Sequence, residues 1–375
     1  MRVLVVNAGS SSLKLRLLDP GDQVAGTLDL DRWDGRDQTG EIERLVSTVD
    51  GVDAVGHRIV HGGTEFTGPT LIEDGVRDRI AALAELAPLH QPRGVAGIDA
   101  IAAVLPGVPA VACFDTAFHR TLPAVAATYA LPRAWNERWN LRRYGFHGLS
   151  HAYAARHAAE LLGRDPDGLR IVSCHLGSGA SLAAIAGGRS LDTTMGFTPL
   201  DGLVMATRPG SVDPGLLLWL LRHAELDPGA LADTLDHHSG LAGLTGTSGD
   251  LREVRAAAGA GDRDAVLAVG IYLHRLRREI AAMTAALGGL DVLVFTGGVG
   301  EHHPAVRAEA AAGLGFLGVE LDETANLAAT GDTDITAPDA PVRTLVITAR
   351  EDLEIARQAR ALLSAVRPSP AGRTT

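Results

Sequence analysis

Apolar residues follow two rhythms along this chain. Val3 to Val6 is an unbroken apolar run, the pattern of a buried strand. The polar turn Asn7, Ala8, Gly9, Ser10, Ser11, Ser12 follows, and Leu13, Leu15 and Leu17 then alternate as a second strand. Leu28, Leu30 and Trp33 anchor a polar stretch, with a short strand and then a loop or helix over Glu41 to Val49. Val52 to His61 reads as a strand ending in H-G-G-T. Helical spacing marks Asp74 to Ala87 and Val95 to Leu105, and Val108 to Phe114 is a buried strand delivering Asp115 at its carboxyl end. In α/β proteins ligands gather at such strand ends.

The stretch 121–147 looks irregular, and a helix starts at Ser150 or His151 and runs to about Leu162. The design then restarts: Leu169 to Gly188 is again an apolar strand, a Gly/Ser turn and a strand, with Gly177-Ser178 matching Gly9-Ser10. A repeat one domain apart suggests two similar halves; convergent hairpin chemistry would give the same pattern. Pro214 to Ala224 reads as a buried helix and Asp262 to Leu287 as a long one. Strands Asp291 to Phe295 and Arg343 to Thr348 come next, then a last helix from Glu351 that can pack back on the first domain. The tail from Pro368 reads as disordered.

Length and charge narrow the class. A chain of 375 residues favours two domains. With 46% apolar and 21% charged residues it is ordinary for a globular protein, and only 4% is aromatic, so the cores rest on Ala, Val, Leu and Ile. A net charge of −11 argues against a general nucleic-acid or anionic-membrane binder, though not against a small anionic substrate in a basic pocket. Cys113 and Cys174 lie apart in apolar runs, which makes a reducing cytosol the expectation. The first apolar stretch is too short for a signal peptide, and Leu216 to Leu221 is far below a membrane span.

Three Gly-rich turns follow buried strands, after Val6, Cys174 and Phe295, and each can hold a phosphate or ribose on backbone N–H groups. None is a Walker A sequence. Lys14 is the only lysine in the chain; it is either a remnant of drift toward arginine or a site needing a compact ammonium charge. Arg58 and Arg208 sit beside turn motifs, where a solvated surface arginine is the bland reading. Asp115 caps a turn or serves as a functional carboxylate. The pairs His57/His61 and His147/His151 have i,i+4 spacing, but without H-E-x-x-H zinc is a weak reading.

Eight separated motifs occur in order: N-A-G-S-S-S-L-K, G-H-R-I-V-H-G-G, L-A-P-L-H, F-D-T-A-F-H, Y-G-F-H-G-L-S-H, C-H-L-G-S-G-A-S, M-G-F-T-P-L-D-G-L-V-M-A-T-R-P-G and F-T-G-G-V-G-E. Together, over residues 3 to about 360, they closely resemble the acetate kinases. The resemblance implies an α/β fold of two duplicated actin-like (ribonuclease H-like) domains with a nucleotide cleft between them. It places an acyl and phosphate-side domain at 1–149, completed by helix 351–366, and a nucleotide-binding and dimerisation domain at 150–350. It implies reversible phosphoryl transfer from ATP to acetate, giving acetyl phosphate and ADP, with Mg2+ (Mn2+ as an alternative), in a cytoplasmic homodimer, for which Leu216 to Leu221 is an apolar candidate contact if that helix is not buried; the net charge speaks against nucleic acid and membrane as partners. A propionate or butyrate kinase of the same build, or an actin-like clamp without kinase activity, are the alternatives.

Roles carried over by the resemblance are these. Asn7 and Glu351 are metal-linked. Ser10, Ser12 and Lys14 grip nucleotide phosphate. Arg58 meets the acetyl or phosphoryl group, and Val60, Leu89 and Pro199 form an apolar pocket for the methyl. Asp115 corresponds to the catalytic acid/base, His147 and Arg208 to transition-state stabilisers. Three stretches bind ATP: His175, Leu176, Gly177, Ser178 and Gly179; Asp250, Leu251 and Arg252; Gly298, Val299, Gly300, Glu301 and His302. The chain departs from the family pattern at Ser178 and Ala180 in the phosphate turn, at Leu149, at Gln91 in L-H-Q-P, and at His302. These changes bear on affinity and leave the reaction class as it is.

Overall fold

The computed structural model describes residues 1–9, 12–31, 33, 39–47, 51–224 and 226–366. The chain divides into two compact units. The first holds Met1–Arg120, Gly148–Tyr153 and the chain from Arg350; the second holds Thr121–His147 and Ala154–Ala349.

The first unit is built on six strands: β1 (Val3–Ala8), β2 (Ser12–Leu18), β3 (Val24–Asp31), β4 (Ala54–Ile59), β5 (Thr70–Leu71) and β6 (Ala110–Phe114). They lie side by side in the order β3-β2-β1-β4-β6-β5. The apolar run of β1 alternates between two cores. Val3 and Val5 face helix Glu351–Val366 through Ile355, Ala356, Ala359 and Leu363. Leu4 and Val6 face the opposite side with Trp33, Ile42 and Ile101 of helix Gln91–Val104. A strand covered on both faces has no polar alternation, which is why β1 reads as a continuous apolar run.

The second unit repeats the plan with β7 (Arg170–Leu176), β8 (Ala180–Ala186), β9 (Arg189–Thr193), β10 (Val292–Thr296), β11 (Thr333–Asp334) and β12 (Arg343–Val346). Their order is β11-β12-β10-β7-β8-β9. Read from the other edge, this is the first sheet strand for strand. In both, an antiparallel three-strand meander is followed by two parallel strands and one antiparallel edge strand. Agreement of six strand positions with their directions makes duplication, rather than chance hairpin similarity, the economical account of the repeated turn.

Several local expectations shift. Helix Gln91–Val104 starts four residues before Val95, because Pro92 at its first turn suits a helix start. The helix expected over 74–87 is α-helical only at Val76–Ala82 and tightens to a 3-10 turn at Leu83–Glu85. The stretch 121–147 is not wholly irregular, since Ala124–Ala127 and Arg133–Trp139 are helical. Helix Thr39–Ser47 replaces the open choice at 41–49, and Val49 lies outside the described residues, as does the tail from Pro368.

One expectation is overturned. Helix Pro214–His223 buries none of its residues within the chain: Leu216, Leu218 and Trp219 are each about half exposed. An apolar run alone cannot distinguish a core helix from one that offers its apolar side outward.

Candidate active site

In the first unit, strand register assembles a charged cluster. Asn7 near the end of β1 lies opposite Lys14 of β2 on one side and Arg58 of β4 on the other. Neighbours in register share a face, so these three residues stand in one row. The β6 strand continues past Phe114, with the Asp115 N–H donating to Ile59 O at 2.9 Å. Arg58 then forks onto Asp115, with Nε to Oδ1 at 3.3 Å and Nη2 to Oδ2 at 2.6 Å. Its Nη1 donates to Asn7 Oδ1 at 3.1 Å, and Glu351 Oε2 lies 3.7 Å from its Nε. Glu351 opens the C-terminal helix, where a carboxylate is stabilised by the helix dipole. Asp115 is almost fully buried and Arg58 mostly so. Burial alone would lower the Arg58 pKa, but the charges of Asp115 and Glu351 reverse this and hold the guanidinium firmly protonated. A fixed positive group framed by oxygen acceptors is the result.

A second cluster forms within the second unit. His147 has a left-handed backbone, φ 56°, at the head of helix Gly148–Leu162. The following residue must be glycine, since a Cβ on Gly148 would collide with the Asp115 carbonyl that accepts its N–H. His147 Nδ1 lies 2.9 Å from Ser181 Oγ, and its ring stacks on His175 at 4.3 Å between centroids. Arg208 Nη1 donates to Pro199 O at 3.0 Å. A Cβ on Gly179 would lie 2.9 Å from Arg208 Nη2 and 3.6 Å from His147 Nε2. The glycine therefore marks where the turn after β7 meets both side chains. Burial lowers the Arg208 pKa, partly opposed by Asp236.

The second unit also holds a cavity of about 550 Å³. Of the residues expected to hold ATP, Gly177, Ser178, Asp250, Leu251, Arg252, Gly298, Val299 and His302 line it. Its walls are thus the turn after β7, the N-terminus of helix Leu251–Gly259 and the start of helix Gly297–His302. Asp250 caps its helix by accepting from Arg252 N and pairs with the Arg252 side chain, which holds its carboxyl down at about 2. A gap of this size with backbone N–H groups from several turns suits a phosphorylated ligand.

The other expected residues fall as follows. His175 packs on His147 and lies outside the cavity lining. Leu176 is fully buried, Gly300 is buried in its short helix, and Glu301 accepts from Ala349 N at 3.0 Å. Ser12 and the exposed Lys14 lie on β2, and Ser10 lies outside the described residues. Val60 follows β4 half-buried, and Leu89 is exposed just before helix Gln91–Val104. Pro199 meets Arg208 through its carbonyl. Sequence reading missed Ser181, although hairpin register sets it opposite His175. It also missed Ala206, Leu241, Ser248, Gly249, Tyr272 and His303 of the cavity wall. Ser248 and Gly249 directly precede Asp250 and could have been inferred; Tyr272, inside a long helix, carries no local mark.

No described helix is long and apolar enough to cross a membrane. Among the described residues no group of three or more His, Cys, Asp or Glu side chains could hold a metal ion.

Comparison with known proteins places the chain in a family. The model of the acetokinase family matches residues 38–357. An acetate kinase of Nostoc punctiforme is 44% identical, the match covering 95% of this chain and 98% of that one. The crystal structure of Porphyromonas gingivalis acetate kinase superimposes with a TM-score of 0.88 at 37% identity, covering 96% of this chain and 99% of that one. A propionate kinase from Francisella tularensis also gives 0.88, at 34% identity and the same coverage. With matching motifs, a matching duplicated fold and relatives aligned nearly end to end, the chain belongs to the acetokinase family.

Proposed function

We propose that the chain is an ATP:acetate phosphotransferase, making acetyl phosphate and ADP reversibly. Beside family membership, the observation that carries the reading is the Arg58 fork on Asp115 and Asn7. In the reaction an acetate oxygen forms a bond to the γ-phosphorus of ATP as the bond to the β,γ-bridging oxygen breaks. Acetate is already ionised at neutral pH, so no proton need be removed to make the nucleophile. The difficulty is bringing anions together, and catalysis consists of positioning and positive charge.

Arg58 supplies that charge in the first unit. Asp115 acts by holding the guanidinium in orientation rather than as a base. In the second unit Arg208 and His147 contribute donors, with Ser181 and His175 fixing the imidazole. The cavity bounded by Gly177, Asp250 and Gly298 takes the nucleotide, and Lys14 and Ser12 offer a compact cation and a hydroxyl to phosphate. Val60, Leu89 and Pro199 are proposed to meet the methyl group.

Asn7 and Glu351 are the proposed holders of Mg2+. Their donor chemistry fits: both carry hard oxygen atoms that face the Arg58 guanidinium, and Mg2+ is commonly held by one or two protein oxygens plus phosphate and water. The ion would neutralise phosphate charge. The enzyme is proposed to be cytoplasmic and a homodimer, with the outward apolar side of helix Pro214–His223 as the contact. The same build with a roomier acyl pocket would favour propionate; one methylene is worth only about 1–3 kcal/mol in such a pocket, so propionate is expected as a slower substrate.

Release of ADP that rises with acetate tests the reading. Asp115→Asn should lower kcat about 100-fold. ATP binding with turnover indifferent to any short acid would instead favour a nucleotide-binding clamp.

A further inference from the structure

Arg307 stands out among the charged side chains. It lies on helix Pro304–Ala312, is 0% exposed, and no described carboxylate pairs with it. Its four hydrogen bonds to described residues all go to neutral oxygens. Nη1 donates to Gly300 O at 2.9 Å and Glu301 O at 2.7 Å, Nε to Asn326 Oδ1 at 2.8 Å, and Nη2 to Asn326 O at 2.7 Å. Asn326, itself buried on helix Glu323–Ala328, returns a bond to Pro304 O at 3.0 Å. Burial lowers the Arg307 pKa. A buried cation without a counter-charge is costly, and an apolar side chain of similar volume could fill the space.

The target of those bonds gives the arrangement a use. Gly300 and Glu301 are the late residues of helix Gly297–His302, whose carbonyls a cation suits. Gly298, Val299 and His302 of the same short helix line the cavity, and His303 adjoins it. A six-residue helix has little stability of its own. Its entry is also tight: Gly297 has φ 77°, and a Cβ there would come 2.8 Å from Leu176 O. The Arg307 fork thus pins the far end of a turn whose near end faces the cavity.

We propose that Arg307 is a positioning residue for the nucleotide, holding the T-G-G-V-G-E turn in its binding geometry without touching the ligand. This rests on the reading of the cavity as the nucleotide site. The test compares wild type, Arg307→Met and Arg307→Lys by ADP titration calorimetry and by steady-state kinetics against ATP and acetate. Arg307→Met should raise the ADP Kd and the KM for ATP about tenfold or more, leave the KM for acetate within about twofold, and be partly rescued in Arg307→Lys. An unchanged ADP Kd, or equal rises in both KM values without rescue by lysine, would overturn the proposal. Should Arg307→Met not fold, Asn326→Ala removes one anchor of the fork: an ATP-selective rise in KM is expected, and an unchanged value overturns it. Failure of the underlying cavity reading would show separately, as wild type that binds no ADP.

Discussion

Gly179 is packed tightly against two side chains of the second cluster. Its missing Cβ is what lets the β7 turn approach Arg208 and His147. Gly179→Ala should therefore displace the guanidinium by some tenths of an ångström. Turnover should fall about tenfold or more while the thermal midpoint moves little, because the arginine is the far end of a flexible side chain. Steady-state kinetics with a melting curve checks this; unchanged kcat would mean that the contact is not part of catalysis.

Two other buried side chains make a pH prediction. Burial holds His57 at a pKa of about 3 and His61 at about 4. His61 Nδ1 also accepts the Gly63 N–H at 2.9 Å, a bond that protonation would break. The unfolded chain binds these protons near pH 6.5, the native state only well below it. Stability is therefore fully present above about pH 6.5 and is lost as pH falls toward 4 and 3. The slope is up to about 1.4 kcal/mol per pH unit for each histidine. Urea midpoints between pH 7 and 5 should fall less steeply in His57→Met than in wild type; equal slopes would contradict the assignment.

Among the elements, the C-terminal helix depends on glycine in a strand. A Cβ on Gly56 of β4 would come 2.5 Å from Ile355 Cγ2, so helix Glu351–Val366 seats directly on the sheet there. Gly56→Ala should cost about 1–3 kcal/mol through overpacking. Combining it with Ile355→Ala should cost less than the sum of the two, since the second change vacates the space the first needs. Denaturant titrations of the four proteins measure this coupling, and strict additivity would refute the contact. Glu351 begins this helix, so its seating also sets where that carboxylate stands.

The strands were the most legible elements. β1, β6, β7 and β10 are buried on both sides, and their unbroken apolar runs announce them. The Arg58–Asp115–Asn7 cluster was only half legible. Each residue could be placed at a strand end, yet the order β1-β4-β6 that makes them neighbours is long-range information. Helix Pro214–His223 misled because hydrophobic pattern reports what a side chain prefers, not what covers it. Tyr272 and Arg307 were invisible because their surroundings come from segments far apart in sequence.

For the whole molecule, duplication explains why two glycine-rich turns occupy equivalent places after β1 and β7. The first is accompanied by Lys14 and the Arg58 cluster, the second by the cavity and His147. One ancestral strand–turn–strand has thus acquired two different sets of side chains. The outward Leu216, Leu218 and Trp219 belong to the same scale, since exposed apolar residues on one helix are the proposed dimer contact. Leu218→Glu should convert the proposed dimer to monomer in sedimentation at micromolar concentration. A wild-type monomer, or a variant that sediments as wild type, would remove this helix from the interface.

The most direct measurement of the central claim is to trap the product. The purified protein is incubated with ATP, Mg2+, hydroxylamine and acetate, propionate or butyrate in turn, and acyl hydroxamate is quantified. Acetohydroxamate should form in an ATP-dependent manner and fastest with acetate, with less from propionate. No hydroxamate from any of the three acids, in protein that still binds ATP, would contradict the account.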